Sequence, residues 1–109
     1  MALSLPPPIA RYVQLENAGD TETLSTCFAL KAIVRDESRT YEGLAAITAW
    51  KAESKRQYHH TITPLDIVYE QGTTVLKAQL TGDFPGSPVT VHFDFVLEAG
   101  HILSLEIHP

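Results

Sequence analysis

The sequence predicts an α+β fold. Three N-terminal helices pack in the concave face of a strongly curved, mostly antiparallel sheet, in the order α-α-β-α-β-β-β-β. Three observations predict it. Helical spacing runs through the first half, beginning with Ile9, Tyr12, Val13 and then Glu16 at i, i+3, i+4 and i+7. From His60 onward the period drops to two. The turns Gln71–Gly72, FPGSP (84–88) and Ala99–Gly100 cut the second half into hairpins. Four long strands with apolar faces need a cover, and three short helices supply it only if the sheet curls around them. A curled sheet leaves a gap at its open end, and that gap is where a ligand would sit.

The elements follow in order. Residues 1–7 form a tail ending in prolines, and Pro8 can open helix one because its missing N–H costs nothing at a first helical position. Gly19 can take the left-handed conformation that stops this helix. Asp20 is a good N-cap for helix two, whose buried stripe is Leu24, Cys27 and Phe28. Residues 32–36 (AIVRD) read as the first strand, and 37–43 (ESRTYEG) as a loop. Helix three starts near Gly43 or Leu44, turns Leu44, Ile47 and Trp50 inward, and runs out near Tyr58. Leu65, Ile67 and Tyr69 then share one face of a strand. Leu76, Ala78 and Leu80 share a face of the next, and Val89, Val91, Phe93, Phe95 and Leu97 of the third. Leu103, Leu105 and Ile107 finish an edge or near-edge strand. No repeat and no linker divides the 109 residues, so one domain spans 1–109.

Composition excludes several function classes. A net charge of -5 argues against nucleic acid, which needs a basic patch. The one local excess, Lys51, Lys55 and Arg56, reads as the solvated side of helix three. Cys27 is the only cysteine, so no intrachain disulfide forms, and its apolar neighbours Leu24 and Phe28 make it a small buried hydrophobe. No apolar run reaches the roughly 20 residues of a membrane span. The first residues, MALSLPPPIA, lack a basic region followed by a long apolar one, so a cytoplasmic location is expected.

Tyr12 poses the functional question. Its apolar neighbours Ile9, Val13 and Leu15 offer the hydroxyl no partner, and a buried phenol usually finds one. Either the hydroxyl reaches water or it points into a cavity. The element order, together with RYVQLENAGD (11–20), AIVRD (32–36) and GLAAITAW (43–50), resembles the NTF2-like superfamily, also called cystatin-like or SnoaL-like. The pattern is closest to the bacterial ketosteroid isomerases. The resemblance covers nearly the whole chain, and it identifies the fold better than the reaction.

That resemblance implies a conical pocket for a small apolar carbonyl compound. Tyr12 would donate its phenol to the substrate oxygen, and Asp36 would be the base that moves a proton between carbons. Trp50 and Tyr41 would be pocket walls, with Val91, Phe93 and Leu105 completing the lining. Such chemistry needs a carboxylate for the proton and donors for the growing enolate, and no cofactor; ketosteroid isomerase is itself the standard worked case of this arrangement. The chain departs from the family at the second oxyanion donor. Val91 or His92, depending on alignment, stands where the isomerases place an acid, and Lys51 stands where they have a tyrosine. By analogy with dehydratases of the superfamily, His60 would join Asp36 as a catalytic pair.

The other histidines carry less. His59 and His60 are adjacent and point to opposite faces of a strand. His92 and Asp94 share a face, but spacing places no third ligand, so no metal site is expected. His101 and His108 read as surface residues. The resemblance also implies a homodimer through the sheet, whose convex face shows Val68, Val96 and His92. The sequence thus reads as a cofactor-free isomerase or dehydratase of this type. The alternative is a non-catalytic ligand-binding or dimerisation module of the same fold.

Overall fold

A computed structural model describes residues 4–109. Its element order is α1 (Pro7–Ala18), α2 (Thr21–Leu24), a 3-10 turn (Ser25–Cys27), β1 (Phe28–Asp36), β2 (Arg39–Glu42), α3 (Gly43–Tyr58), β3 (Thr61–Glu70), β4 (Thr73–Thr81), β5 (Val89–Glu98) and β6 (His101–His108). The α+β fold is as expected: three helices lie against an open, mostly antiparallel sheet of six strands, ordered β2-β1-β6-β5-β4-β3. Only the β1–β6 pair is parallel.

Local chemistry explains the helices. Pro7 opens α1, one residue earlier than expected, and the first three residues of the tail lie outside the described residues. Gly19, at φ 75°, closes α1 with its N–H on the last carbonyls. The Asp20 carboxylate accepts from Thr23 N at 3.0 Å and caps α2. Helix two is much shorter than its apolar stripe suggested. Thr26 and Ser25 turn their hydroxyls back on the carbonyls of Thr23 and Glu22, the chain tightens into a 3-10 turn, and Phe28 already belongs to β1.

The sheet differs from the sequence expectation in three places. Residues 39–42, expected in a loop, form β2, which pairs with β1 through the two-residue turn Glu37–Ser38. Both turn residues sit at positive φ, 51° and 66°, the geometry that suits strand twist, but neither is the Asn or Gly that usually signals it. Second, β6 is central, held between β1 and β5, and the edges are β2 and β3. Third, the expected inward row of β3 is broken. A register shift between Pro64 and Asp66 leaves Leu65 46% exposed, and Tyr69, near the strand's far end, is 64% exposed. Further shifts lie between Val96 and Leu97 and between Phe28 and Ile33, and such bulges bend a sheet toward its helices.

The core lies between sheet and helices. Ala32 and Val34 of β1, Leu76 and Ala78 of β4, Val91, Phe93 and Phe95 of β5, and Ile102 and Leu105 of β6 face Ile9, Tyr12 and Val13 of α1 and Ile47 and Trp50 of α3. One polar clamp fixes α1 to the edge strand. Asn17 donates to the Ile62 carbonyl at 2.9 Å and accepts from the Ile62 N–H at 2.7 Å, so its side-chain amide acts as one more rung of the ladder. Asn17→Ala strands both groups of Ile62. We expect it to lower the unfolding free energy by about 1–3 kcal/mol, measured by urea denaturation.

Candidate functional site

Tyr12 sits at the centre of the core with no solvent exposure. Its ring meets Phe28, Phe93 and Phe95 edge-on, at centroid distances of 6.1, 6.3 and 5.6 Å. Of the two possibilities open to its hydroxyl, water at the helix edge is thereby removed. The hydroxyl is buried and has no hydrogen-bond partner among the described residues. Burial, and then the nearby charges of Glu16 and Asp36, hold the phenol well above its ordinary pKa, so it keeps its proton and can only act as a neutral donor or acceptor.

Asp36 ends β1, half-buried, and its Oδ2 accepts from the Trp50 indole N–H at 3.2 Å. Tyr41 of β2 stacks on Trp50 with centroids 5.6 Å apart. The β2 hairpin, absent from the sequence expectation, is therefore what brings Tyr41 over the tryptophan. Asp36 also lines a concavity of about 290 Å3 between the hairpin turn and the end of β6, with Arg39, Glu106 and His108. A second, of about 200 Å3, lies along β1 and β6 at Ile33, Arg35 and Ser104. Tyr12 lines neither. Val91, Phe93 and Leu105 are buried on the inner face with Tyr12, and His92 points to the outer one. Phe93 is in edge contact with Tyr12.

The residues that sequence reasoning missed lie beside Tyr12. Glu16, one turn further along α1, is 0% exposed. Lys51, expected on the solvated side of α3, is 2% exposed, and its Nζ lies 2.9 Å from Glu16 Oε1. That expectation fails because Lys51 follows Ile47 by four residues and so shares its inward face. The ammonium also stands 4.3 Å from the Trp50 ring centre and 5.6 Å from that of Tyr12, so two ring faces and one carboxylate replace its water. His60, 7% exposed, brings Nε2 against the same Glu16 oxygen. The expected pairing of His60 with Asp36 does not form: His60 meets Glu16, and Asp36 meets Trp50. A signal existed, since a carboxylate on an apolar helical stripe demands a buried counter-charge.

Backbone geometry places His60. His59 closes α3 in the left-handed region at φ 49°. Gly82, after β4, passes so close that a Cβ there would stand 2.7 Å from the Tyr58 carbonyl oxygen and 2.9 Å from His60 Cα. Lys55 donates to the His60 carbonyl. Among the described residues, no group of three or more His, Cys, Asp or Glu side chains could hold a metal.

Burial pushes the Glu16 carboxyl up, but the Lys51 charge and the hydrogen bond from His60 outweigh it and bring its pKa down to about 2. A folded-state pKa below the ordinary 4.5 means stability that is complete above about pH 4.5 and lost as pH falls toward 2. We expect an acid limb on the order of 3 kcal/mol in that window, read from urea denaturation at stepped pH. The double variant Glu16→Leu/Lys51→Met should flatten it.

The profile of the SnoaL-like domain matches residues 9–103. A solved protein of Sinorhizobium meliloti, provisionally named a polyketide cyclase, is 34% identical, with a TM-score of 0.91 and 95% of each chain covered. A protein of Catenulispora acidiphila with a ketosteroid isomerase-like fold, solved with trimethylamine, is 17% identical, with a TM-score of 0.84 over 97% of this chain and 87% of its own. An NTF2-like protein of Cytophaga hutchinsonii is 12% identical, with a TM-score of 0.78 over 99% and 93%. A comparison with curated proteins returns no match. Among the described residues no helix is long and apolar enough to cross a membrane. With its profile matched over most of its length and its fold shared with these structures, the chain belongs to the SnoaL-like domain family of the NTF2-like superfamily.

Proposed function

We propose that this protein is a cofactor-independent acid/base enzyme acting on a small, mostly apolar carbonyl compound. The observation that carries the reading is the Tyr12 hydroxyl, fully buried among phenylalanines with no hydrogen-bond partner among the described residues. An unpaired buried hydroxyl costs about 1–3 kcal/mol, and a ligand oxygen would recover it. Asp36 is the base. It takes a proton from the carbon beside the carbonyl and returns it to substrate. As that proton leaves, charge grows on the carbonyl oxygen, and Tyr12 donates to it. The indole N–H of Trp50 fixes the carboxylate's orientation, and Tyr41 backs the indole. The provisional naming of the Sinorhizobium meliloti relative as a polyketide cyclase supports carbonyl chemistry of this kind.

The test is exchange of α-hydrogens of cyclohexanone in heavy water, followed by NMR. Asp36→Asn should slow the catalysed rate about 10²–10⁴-fold, and Tyr12→Phe about 10²–10³-fold. Equal rates in wild type and Asp36→Asn overturn the reading.

A second reading, a ligand-binding module without catalysis, is favoured by Val91, a hydrocarbon side chain where the isomerases place a second acid. Binding of cyclohexanone without exchange selects it. Under either reading the protein pairs with a second copy through the outer sheet face, where Val68 and Val75 of β3 and β4 stand beside Asp94 and Glu106 of β5 and β6. Sedimentation velocity should show a two-chain species that Val75→Lys reduces to one.

A further inference from the structure

We infer that the interior holds a polar subsite, built from Glu16, His60 and Lys51, that selects carbonyl ligands bearing a hydroxyl group. The inference rests on the carbonyl-binding reading above and names its substrate class. It follows from an inventory of lone pairs. Glu16 Oε1 is saturated, since Lys51 Nζ and His60 Nε2 both reach it. Glu16 Oε2 and His60 Nδ1 are buried and have no hydrogen-bond partner among the described residues. A carboxylate only accepts, so the His60 nitrogen facing it must carry the hydrogen. Glu16 Oε2 therefore meets no donor, whereas buried polar groups are generally paired.

The third unpartnered group is of complementary kind. Tyr12 OH can donate, and it lies one helical turn from Glu16 on the same buried stripe. The Lys51 ammonium joins the two places, 2.9 Å from the Glu16 carboxylate oxygen and 5.6 Å from the Tyr12 ring centre. A donor and an acceptor flanking a single ammonium match a molecule with a carbonyl oxygen for Tyr12 and an O–H for Glu16. An apolar ketone would satisfy the first and leave the second stranded. A site built to bond a hydroxyl discriminates strongly against the analogue that lacks it, because its own polar groups are then left unpaired.

The experiment compares cyclohexanone, 4-hydroxycyclohexanone and 4-methoxycyclohexanone by isothermal titration. The methoxy compound keeps the second oxygen and loses the donor. Wild type should bind the hydroxyketone about 10–100-fold more tightly than either of the others, the worth of one hydrogen bond to a charged group. In Glu16→Gln an N–H₂ replaces the free acceptor, and the preference should fall to less than about threefold. If that variant does not fold, the ¹³C resonance of the Glu16 side-chain carboxylate in wild type decides, because only the hydroxyketone should move it. Equal binding of hydroxy and methoxy compounds, an unaltered preference in Glu16→Gln, or a fixed carboxylate resonance overturns the subsite. Binding of cyclohexanone without hydroxyl preference overturns it alone. Failure of all three ketones to bind overturns it together with the carbonyl reading.

Discussion

An ionised carboxylate with no exposure to water has to be matched from within, and Glu16 is met by a counter-charge and a hydrogen bond from two other parts of the chain. Lys51 comes from α3 and His60 from the start of β3, so one oxygen atom ties helix one to both. Removing either charge alone from such a pair leaves the other buried and unmatched, which costs far more than the pair gains in stability over an apolar replacement. The cluster is therefore better understood as a constraint than as a source of stability. It dictates the rotation of α1, the reach of Lys51 across the ring of Trp50, and the point at which the chain must leave α3 and enter the sheet. The Asn17 clamp on Ile62 and the close passage of Gly82 over His60 serve the same junction.

The rest of the interior inherits that geometry. With α1 held at Glu16, Tyr12 has nowhere to go but the middle of the phenylalanine cluster, and its hydroxyl cannot escape to solvent. With α3 held at Lys51, Trp50 faces Asp36 and Tyr41. Two polar stations result, a carboxylate with an indole donor at the hairpin end and an ion cluster at the β3 end, separated by aromatic surface. Burial first, and then the charge felt from each end, is why the proton of the phenol between them is so firmly held.

The outer face of the sheet follows different rules. His108 Nε2 donates to Asp94 Oδ2 at 2.9 Å, and its ring stacks on His92 with centroids 5.4 Å apart. The hydrogen bond to Asp94, ahead of the opposing effect of burial, raises the His108 pKa. Half-exposed groups of this kind are screened by solvent and hold little of the fold together. They give the convex surface its mixed polarity.

The sequence by itself determined the fold. Helical spacing before Tyr58 and alternation after His60 are local properties, each glycine or Asp cap acts on its own neighbours, and the stretches around Tyr12, Asp36 and Trp50 marked the family. Tertiary structure decided what the polar groups do. The β2 hairpin escaped notice because Glu37–Ser38 turns without the residues that advertise a turn, and its four residues are too few for a pattern. The short helix two was invisible because an apolar stripe reads alike in a helix and in a strand about to begin. Above all, a lysine on a helix looks solvated until its partner is known. Glu16 and Lys51 are 35 residues apart, and His60 is 44 beyond Glu16. No local rule relates them, because the free energy that pulls Lys51 inward is the desolvation of a carboxylate that only the folded chain brings to it.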